Sequence, residues 1–262
     1  MEELLPPGTW CTDWAFLREV DRCGARSFVE VGCGEGRLGA VLCERGLVGV
    51  GVEPSPEAAA RCRLRLAGWR AERRFRLHEG PLADLELDRP ADLVFSQMVL
   101  EHVADDLALV RSMLRHVRPG GTVIAVVPGR PERWGAEDEL SGHLRRYDRL
   151  DLAQLFLAAG LDEISVKSLN VPVTNLLHRV SDAVVARHLA PRAGLDQATL
   201  TRLSGLSETP LKHRFPAWFR LVLNPVAMWP FCHLQRAFFD GDRGHVLMAV
   251  GRRAAADREA AA

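Results

Sequence analysis

The stretch Val29-Glu30-Val31-Gly32-Cys33-Gly34-Glu35-Gly36 constrains this chain more than any other. A β-prone run, Ser27 to Val31, stops on three glycines spaced G-x-G-x-G, and a helical run begins at Arg37. Glycine reaches positive φ without a Cβ clash and lets a ligand approach the backbone closely. A strand–glycine loop–helix unit therefore reads as the first βα turn of a nucleotide-binding sheet. Glu53 stands 21 residues after Gly32, at the end of the next apolar run, Leu47 to Val52. An acidic side chain there can accept both hydroxyls of a ribose. Two readings compete: a tight connection with no ligand, and a cradle for an adenosine-containing molecule. The loop, its context and Glu53 together favour the cradle.

The rest of the chain continues the alternation. Trp14 to Cys23 reads as a helix with Asp13 as its N-cap, and Arg37 to Arg45 as one that ends at Gly46. Ser55 caps a helix running to about Ala67, with Pro56 in its first position. Phe75 to His78 and Ala91 to Ser96 are strands. Asp105 or Asp106 opens a helix with Leu107, Val110, Leu114 and Val117 at helical spacing. Pro119-Gly120-Gly121 is a turn into the strand Thr122 to Val127, and Asp148 caps a helix to Ala159. Ile164 to Ser168 and Val246 to Val250 complete seven strands. Strands alternating with helices of this length mean βαβ units and a parallel sheet.

The 262 residues then divide into an N-terminal helical segment (1–26), an α/β core (27–169), an aromatic-rich helical insertion (170–240), a last core strand (241–253) and a tail (254–262). Phe215, Trp218, Phe219, Trp229, Phe231, Phe238 and Phe239 crowd the end of the insertion. Leu176, Leu177, Val180 and Val184 give it an apolar stripe, and Lys212, Arg214, Arg220 and Arg236 flank the aromatics. Three readings stand: a lid on the sheet edge, an apolar acceptor pocket, and an interfacial membrane or dimer contact.

Bulk features exclude several classes. Lys+Arg and Asp+Glu both number 34, and zero net charge argues against blanketing nucleic acid. The six cysteines form no C-x-x-C pair and match no zinc spacing. Met1-Glu2-Glu3 has the wrong charge for a secretory signal, and no apolar stretch reaches the ~20 residues that span a bilayer. These point to a cytoplasmic protein with reduced thiols.

The glycine spacing also chooses between ligands. A dinucleotide fingerprint is G-x-G-x-x-G, and here the third glycine comes one place early. Glu30 would repel a pyrophosphate but attract an amino group or a sulfonium. Both features favour S-adenosylmethionine over NAD. At this point the chain resembles the class I S-adenosylmethionine-dependent methyltransferases, over about Phe28 to Leu161 plus the last strand. Glu30-Val-Gly-Cys-Gly-Glu-Gly36 resembles the family's first motif and Val52-Glu53-Pro54 its second. Phe95 to Val103 resembles the segment after strand four, Leu114 to Thr122 the turn into strand five, and Gly142 to Tyr147 the segment beyond it.

The resemblance implies a Rossmann-like seven-stranded, mostly parallel sheet with an antiparallel last strand. It implies that Glu30, Gly32, Gly34 and Gly36 line the methionine side, and that Glu53 holds the ribose. Pro54 would border the adenine, and Ser96 and Gln97 the methionine amino group. One departure is Gly80-Pro81, where the family's second residue is an adenine-contacting Asp; Asp84 or a backbone amide would have to substitute.

His143 and His102 are the candidate bases, because histidine titrates near neutrality. Each competes with a structural reading, and Tyr147 with simple packing. The ubiquinone-pathway O-methyltransferases look similar around Glu101-His102 but carry another acid three residues earlier as part of a metal site. Here that position is Met98, so no metal is expected, and Glu137-Asp138-Glu139 reads as a solvated loop. No aromatic follows strand four to stack a flipped base. The expectation is a metal-independent methyltransferase acting on a small apolar or aromatic-bearing acceptor at a hydroxyl oxygen. Nitrogen and carbon acceptors stay open, and so does the oligomeric state. An NAD-dependent oxidoreductase and a non-catalytic nucleotide-binding protein are the rivals.

Overall fold

A computed structural model describes residues 5–172, 194–204 and 224–255. Helix α1 (Pro7–Cys23) starts earlier than the sequence suggests, because Pro7 sits at its first position, where the missing N–H loses no bond. Asp13 is consequently not an N-cap. It lies within α1, buried, and pairs with Arg37 across to the next helix. β1 (Ser27–Val31) and α2 (Arg37–Glu44) flank the glycine loop. After β2 (Val48–Val52), Ser55 caps α3 (Pro56–Arg65) by accepting from the Ala58 amide. That helix breaks at Leu66, and a short α4 (Ala67–Ala71) leads to β3 (Phe75–His78).

β4 (Ala91–Gln97) precedes α5 (Asp106–His116), which Asp105 caps at 2.8 Å from the Ala108 amide. β5 (Val117–Pro128) absorbs the expected Pro119-Gly120-Gly121 turn as an irregularity, where the pairing with β4 slips. α6 (Ala136–Ser141) and α7 (Arg149–Ala158), the latter capped by Asp148, precede β6 (Leu161–Leu169). α8 (Gln197–Ser204) and α9 (Pro225–Leu234) belong to the insertion, and β7 (Val246–Arg253) closes the sheet.

The seven strands lie in the order β3-β2-β1-β4-β5-β7-β6. β7 runs antiparallel to both neighbours, and the other pairings, among β1 to β5, are parallel. Strand alternation splits the core in two. Phe28, Phe95, Ile124 and Met248 face α1 and α2, with Phe16 of α1 stacked 4.7 Å from Phe95. Val29, Val94, Val123 and Ala249 face α5 and α7. Strand order reverses between β1 and β4, and such a switch point leaves a crevice at the carboxyl ends of the strands.

The described parts of the insertion go to two places. α9 packs on α1 through Met228, Cys232 and Cys11. Gln235 pins the join, donating to the Cys11 carbonyl at 2.8 Å and accepting from the Asn170 amide at 3.1 Å. Trp229 and Phe231 are exposed on α9. α8 instead packs against α6, with Thr201 against Gly142. The stripe Leu176 to Val184 and the cluster Lys212 to Arg220 lie outside the described residues.

Phe16 fills the space between α1 and the sheet centre and is almost fully buried. Phe16→Ala should destabilise the chain by about 3–5 kcal/mol. Urea unfolding should show a lower midpoint with an unchanged slope, and an unchanged midpoint would show that α1 adds nothing to the core.

Candidate active site

The glycine loop is a chain of left-handed turns. Gly32, Gly34 and Gly36 have φ of 68°, 53° and 77°. The amides of Gly32 and Cys33 both donate to the Val52 carbonyl, at 2.9 and 3.0 Å, so the loop folds back over the end of β2. A Cβ on Gly32 would lie 2.5 Å from Val99 Cγ2, and one on Gly36 2.6 Å from Leu66 Cδ1. Close packing adds to backbone conformation in demanding glycine at these two positions.

Glu53 closes the loop. One carboxylate oxygen accepts from the Gly34 amide and the other from the Ser55 amide, both at 2.8 Å. Burial pushes its pKa up, and these two bonds pull against that shift. A carboxylate offers about four lone pairs, so each oxygen keeps acceptor capacity for a ribose hydroxyl. Pro54 follows it, exposed at the rim. Glu30 lies buried beneath α2, where burial raises its pKa well above the usual range and its Oε2 has no partner. Ser96, on the β4 face shared with Val94, is fully buried with its hydroxyl likewise unpartnered; Gln97 is half-buried on the opposite face.

The backbone then turns through Met98, which holds an unusual φ of 54° while its amide donates to the Val126 carbonyl. This turn delivers Glu101 and His102. Glu101 is fully buried, neither carboxylate oxygen has a partner, and burial lifts its pKa to about 8. His102 places Nδ1 3.2 Å from the Gly142 carbonyl. Burial and then the neighbouring His143 pull its pKa down to about 4. The two imidazoles meet edge to face, centroids 4.8 Å apart.

His143 comes from the segment after α6. Its Nδ1 lies 2.8 Å from Asp138 Oδ1, which also accepts from Arg146 Nε at 2.7 Å. Asp138 is therefore no solvated loop residue: it is fully buried on α6, and its other oxygen accepts from the Gly135 amide. Glu139 alone of the acidic run is exposed. Tyr147 is structural, buried with its hydroxyl donating to Asp106 at 2.8 Å. Arg145 pairs with the same Asp106 oxygen.

Glu101, His102 and His143 thus gather, with one ligand-type atom from each within 4.8 Å of the others. The sequence pattern indicated no such cluster, since it set Met98 against an ion and left His143 forty residues away. Asp84, the suggested substitute near the adenine, is exposed on a single turn of 3₁₀ helix. His78, beside it, contacts the Pro81 carbonyl.

These residues suit an adenosyl ligand bearing a cationic centre. The loop presents backbone and no side chain at its glycines, and Glu53 retains lone pairs. Four unpartnered buried oxygens, on Glu30, Ser96 and Glu101, lie on or just after β1 and β4, the two strands of the switch point. The model of the family described as a methyltransferase domain matches residues 8–166. The chain belongs to the class I S-adenosylmethionine-dependent methyltransferases. S-adenosylmethionine is its cofactor, and the NAD reading is set aside.

Among curated relatives, a probable S-adenosylmethionine-dependent methyltransferase of Mycolicibacterium smegmatis is 29% identical over 150 residues, covering 56% of each chain. A ubiquinone biosynthesis O-methyltransferase of Methylobacterium nodulans is 32% identical over 111 residues, covering 42% of this chain and 43% of the relative. The chain spans about half the length of the curated relatives it matches. A solved structure of a putative sarcosine dimethylglycine methyltransferase from Galdieria sulphuraria shares the fold. Its TM-score is 0.57 at 14% identity, over 93% of this chain and 85% of that one.

Two measurements check this methyltransferase's site. Glu53→Ala removes both loop bonds and the carboxylate that a ribose would meet. Hydrogen bonds to a charged group are worth about 1.5–3 kcal/mol, so S-adenosylhomocysteine should bind at least about tenfold more weakly by calorimetry. Unchanged affinity would remove the ribose role. Glu101 carries a folded-state pKa of about 8, above the ordinary carboxylate value, so the folded chain holds a proton that the unfolded chain releases. Its contribution to stability is full below the ordinary value and is lost as pH rises through about 8. The urea midpoint of Glu101→Gln should therefore gain on the native protein between about pH 5 and 8.5; a constant difference would deny the shift.

Proposed function

We propose that this methyltransferase acts on a hydroxyl oxygen of a small apolar or aromatic-bearing molecule, without a metal, with His143 as general base. The observation that carries the reading is the pair of imidazoles following β4 and β5, at the same end of the sheet as the glycine loop. A pKa near 4 makes His102 a poor proton acceptor at neutral pH, which leaves it as a neutral hydrogen-bonding neighbour and His143 as the base. The name of the Methylobacterium relative, an O-methyltransferase, supports an oxygen acceptor. Met98, where a ligating acid would stand, supports chemistry without an ion.

Bound S-adenosylmethionine supplies a methyl on a sulfonium sulfur, which keeps the C–S electron pair and leaves as neutral S-adenosylhomocysteine. The protein's part is alignment and the proton. Alignment of reacting atoms is worth up to about 7–11 kcal/mol, and a placed base about 10²–10⁴-fold. In this reading Gly32, Gly34 and Gly36 seat the cofactor, Glu53 takes the ribose and Pro54 borders the adenine. Glu30, Ser96 and Gln97 surround the methionine end. No described helix is long and apolar enough to cross a membrane. We place the reaction in the cytoplasm, where the six unpaired thiols are at home.

Methyl-labelled cofactor incubated with fractionated small-molecule extracts should give labelled O-methyl products that dilute alkali-stable ether analysis identifies. N-methyl or C-methyl products would move the acceptor atom. Turnover should survive exhaustive chelation; loss on chelation with recovery on adding a divalent ion would overturn metal independence. His143→Ala should lower kcat about 10²–10⁴-fold with cofactor affinity unchanged.

A further inference from the structure

We infer that Asp138 is the positioning residue of His143, holding the imidazole proton on Nδ1 so that Nε2 is the basic atom. This rests on the reading of His143 as base. Asp138 divides its two oxygens between two tasks. Oδ2 accepts from the Gly135 amide at 2.9 Å and closes the start of α6. A cap needs only that oxygen. Oδ1 does something a cap does not require: it faces His143 Nδ1 at 2.8 Å and Arg146 Nε at 2.7 Å.

Arg146 is anchored in turn, with Nη1 on the Gly129 carbonyl at 3.2 Å, just beyond β5. Burial works against a charge on Asp138, but the bonds from His143 and Arg146 prevail and hold its pKa at about 2. An ionised carboxylate only accepts hydrogen bonds, so the ring nitrogen facing it must carry the proton. The remaining nitrogen then has its lone pair free. His102 likewise turns Nδ1 toward an acceptor, the Gly142 carbonyl at 3.2 Å, with the Thr201 hydroxyl 3.4 Å from the same nitrogen.

The charge balance during transfer follows. The hydroxyl proton of the acceptor passes to His143 Nε2, and the freed oxygen pair bonds the methyl carbon. The imidazolium so formed lies against ionised Asp138 on one side, with the unpartnered carboxyl of Glu101 within 4.8 Å. Asp138 thus both selects the tautomer before the step and stabilises the cation after it. An Asn there has an amide that can donate to Nδ1, which favours the opposite tautomer and occupies Nε2 with the proton.

The test is a long-range ¹H–¹⁵N spectrum of the full chain, labelled at histidine, saturated with S-adenosylhomocysteine and recorded near pH 8. His143→Gln assigns the signal. The native protein should show His143 with its proton on Nδ1; a proton on Nε2 overturns the proposal, and this arm needs no acceptor and no variant of Asp138. In Asp138→Asn the proton should move to Nε2. With an acceptor found as above, kcat should fall at least 100-fold while acceptor KM and S-adenosylhomocysteine affinity stay within about threefold. Full turnover by Asp138→Asn would overturn the positioning role. Absence of turnover on every acceptor by the native protein would count against the hydroxyl-methylation reading, and the spectrum would still decide on Asp138.

Discussion

The crevice of this methyltransferase depends on one carboxylate meeting two backbone amides from different loops. A glycine loop with three left-handed residues has no helix or strand ladder to hold it, and glycine gives up more conformational freedom on ordering than any other residue. Glu53 supplies what the loop lacks, because its two oxygens bond the loop after β1 at Gly34 and its own loop at Ser55. The amides of Gly32 and Cys33 complete the closure on the last carbonyl of β2. The residue that would hold a ribose is thus also the residue that shapes the glycine loop beside it. Structural and binding roles need not compete, since a bound carboxylate still has lone pairs to spare.

The segment that carries His143 is built on the same device, with aspartates in place of the glutamate. Residues 142 to 147 leave α6 through a left-handed Gly142 and meet the end of β5 at the Gly129–Tyr147 bridge. Two acids anchor them: Asp106 takes Arg145 and Tyr147, and Asp138 takes His143 and Arg146. Burial and Asp106 both raise the Tyr147 pKa, so the phenol stays protonated and serves as a donor. α8 adds Thr201 against Gly142, which places part of the insertion beside the histidines.

What could be read from sequence follows from how local each signal is. The seven strands, the parallel pairing of β1 to β5 and the strand–glycine loop–helix unit are written in runs of a few residues each, with punctuation by glycine and proline, and these agree with the structure. Asp13 was misjudged because an acid before a helical run looks like a cap, whereas the helix begins at Pro7 and the acid belongs to an ion pair with Arg37. Asp138 was misjudged because three consecutive acids look solvated. A helix of six residues exposes Glu139 and buries its neighbour, and only the return of the chain at His143 and Arg146 reveals the reason. The gathering of Glu101, His102 and His143 is non-local in the same way. A signal was present in the basic run His143-Leu-Arg-Arg-Tyr147, whose charges need acidic partners to be held in place.

The unpartnered oxygens carry the physical argument one step further. Leaving a buried acceptor without a bond costs about 1–3 kcal/mol, and more when the group is charged. The fold tolerates this at Glu30, Ser96 and twice at Glu101, all on or just after the two strands that part at the switch point. Elsewhere among the described residues, Asp138 and Glu53 are buried acids with both oxygens bonded. Local relief was available, since an alanine at these positions would carry no side-chain acceptor to leave unsatisfied. Unsatisfied acceptors gathered at a switch point are what a site shows when its polar partners arrive with a ligand. The low-dielectric surroundings that make these groups expensive in the free protein also strengthen their attraction to a sulfonium, an amino group or an imidazolium.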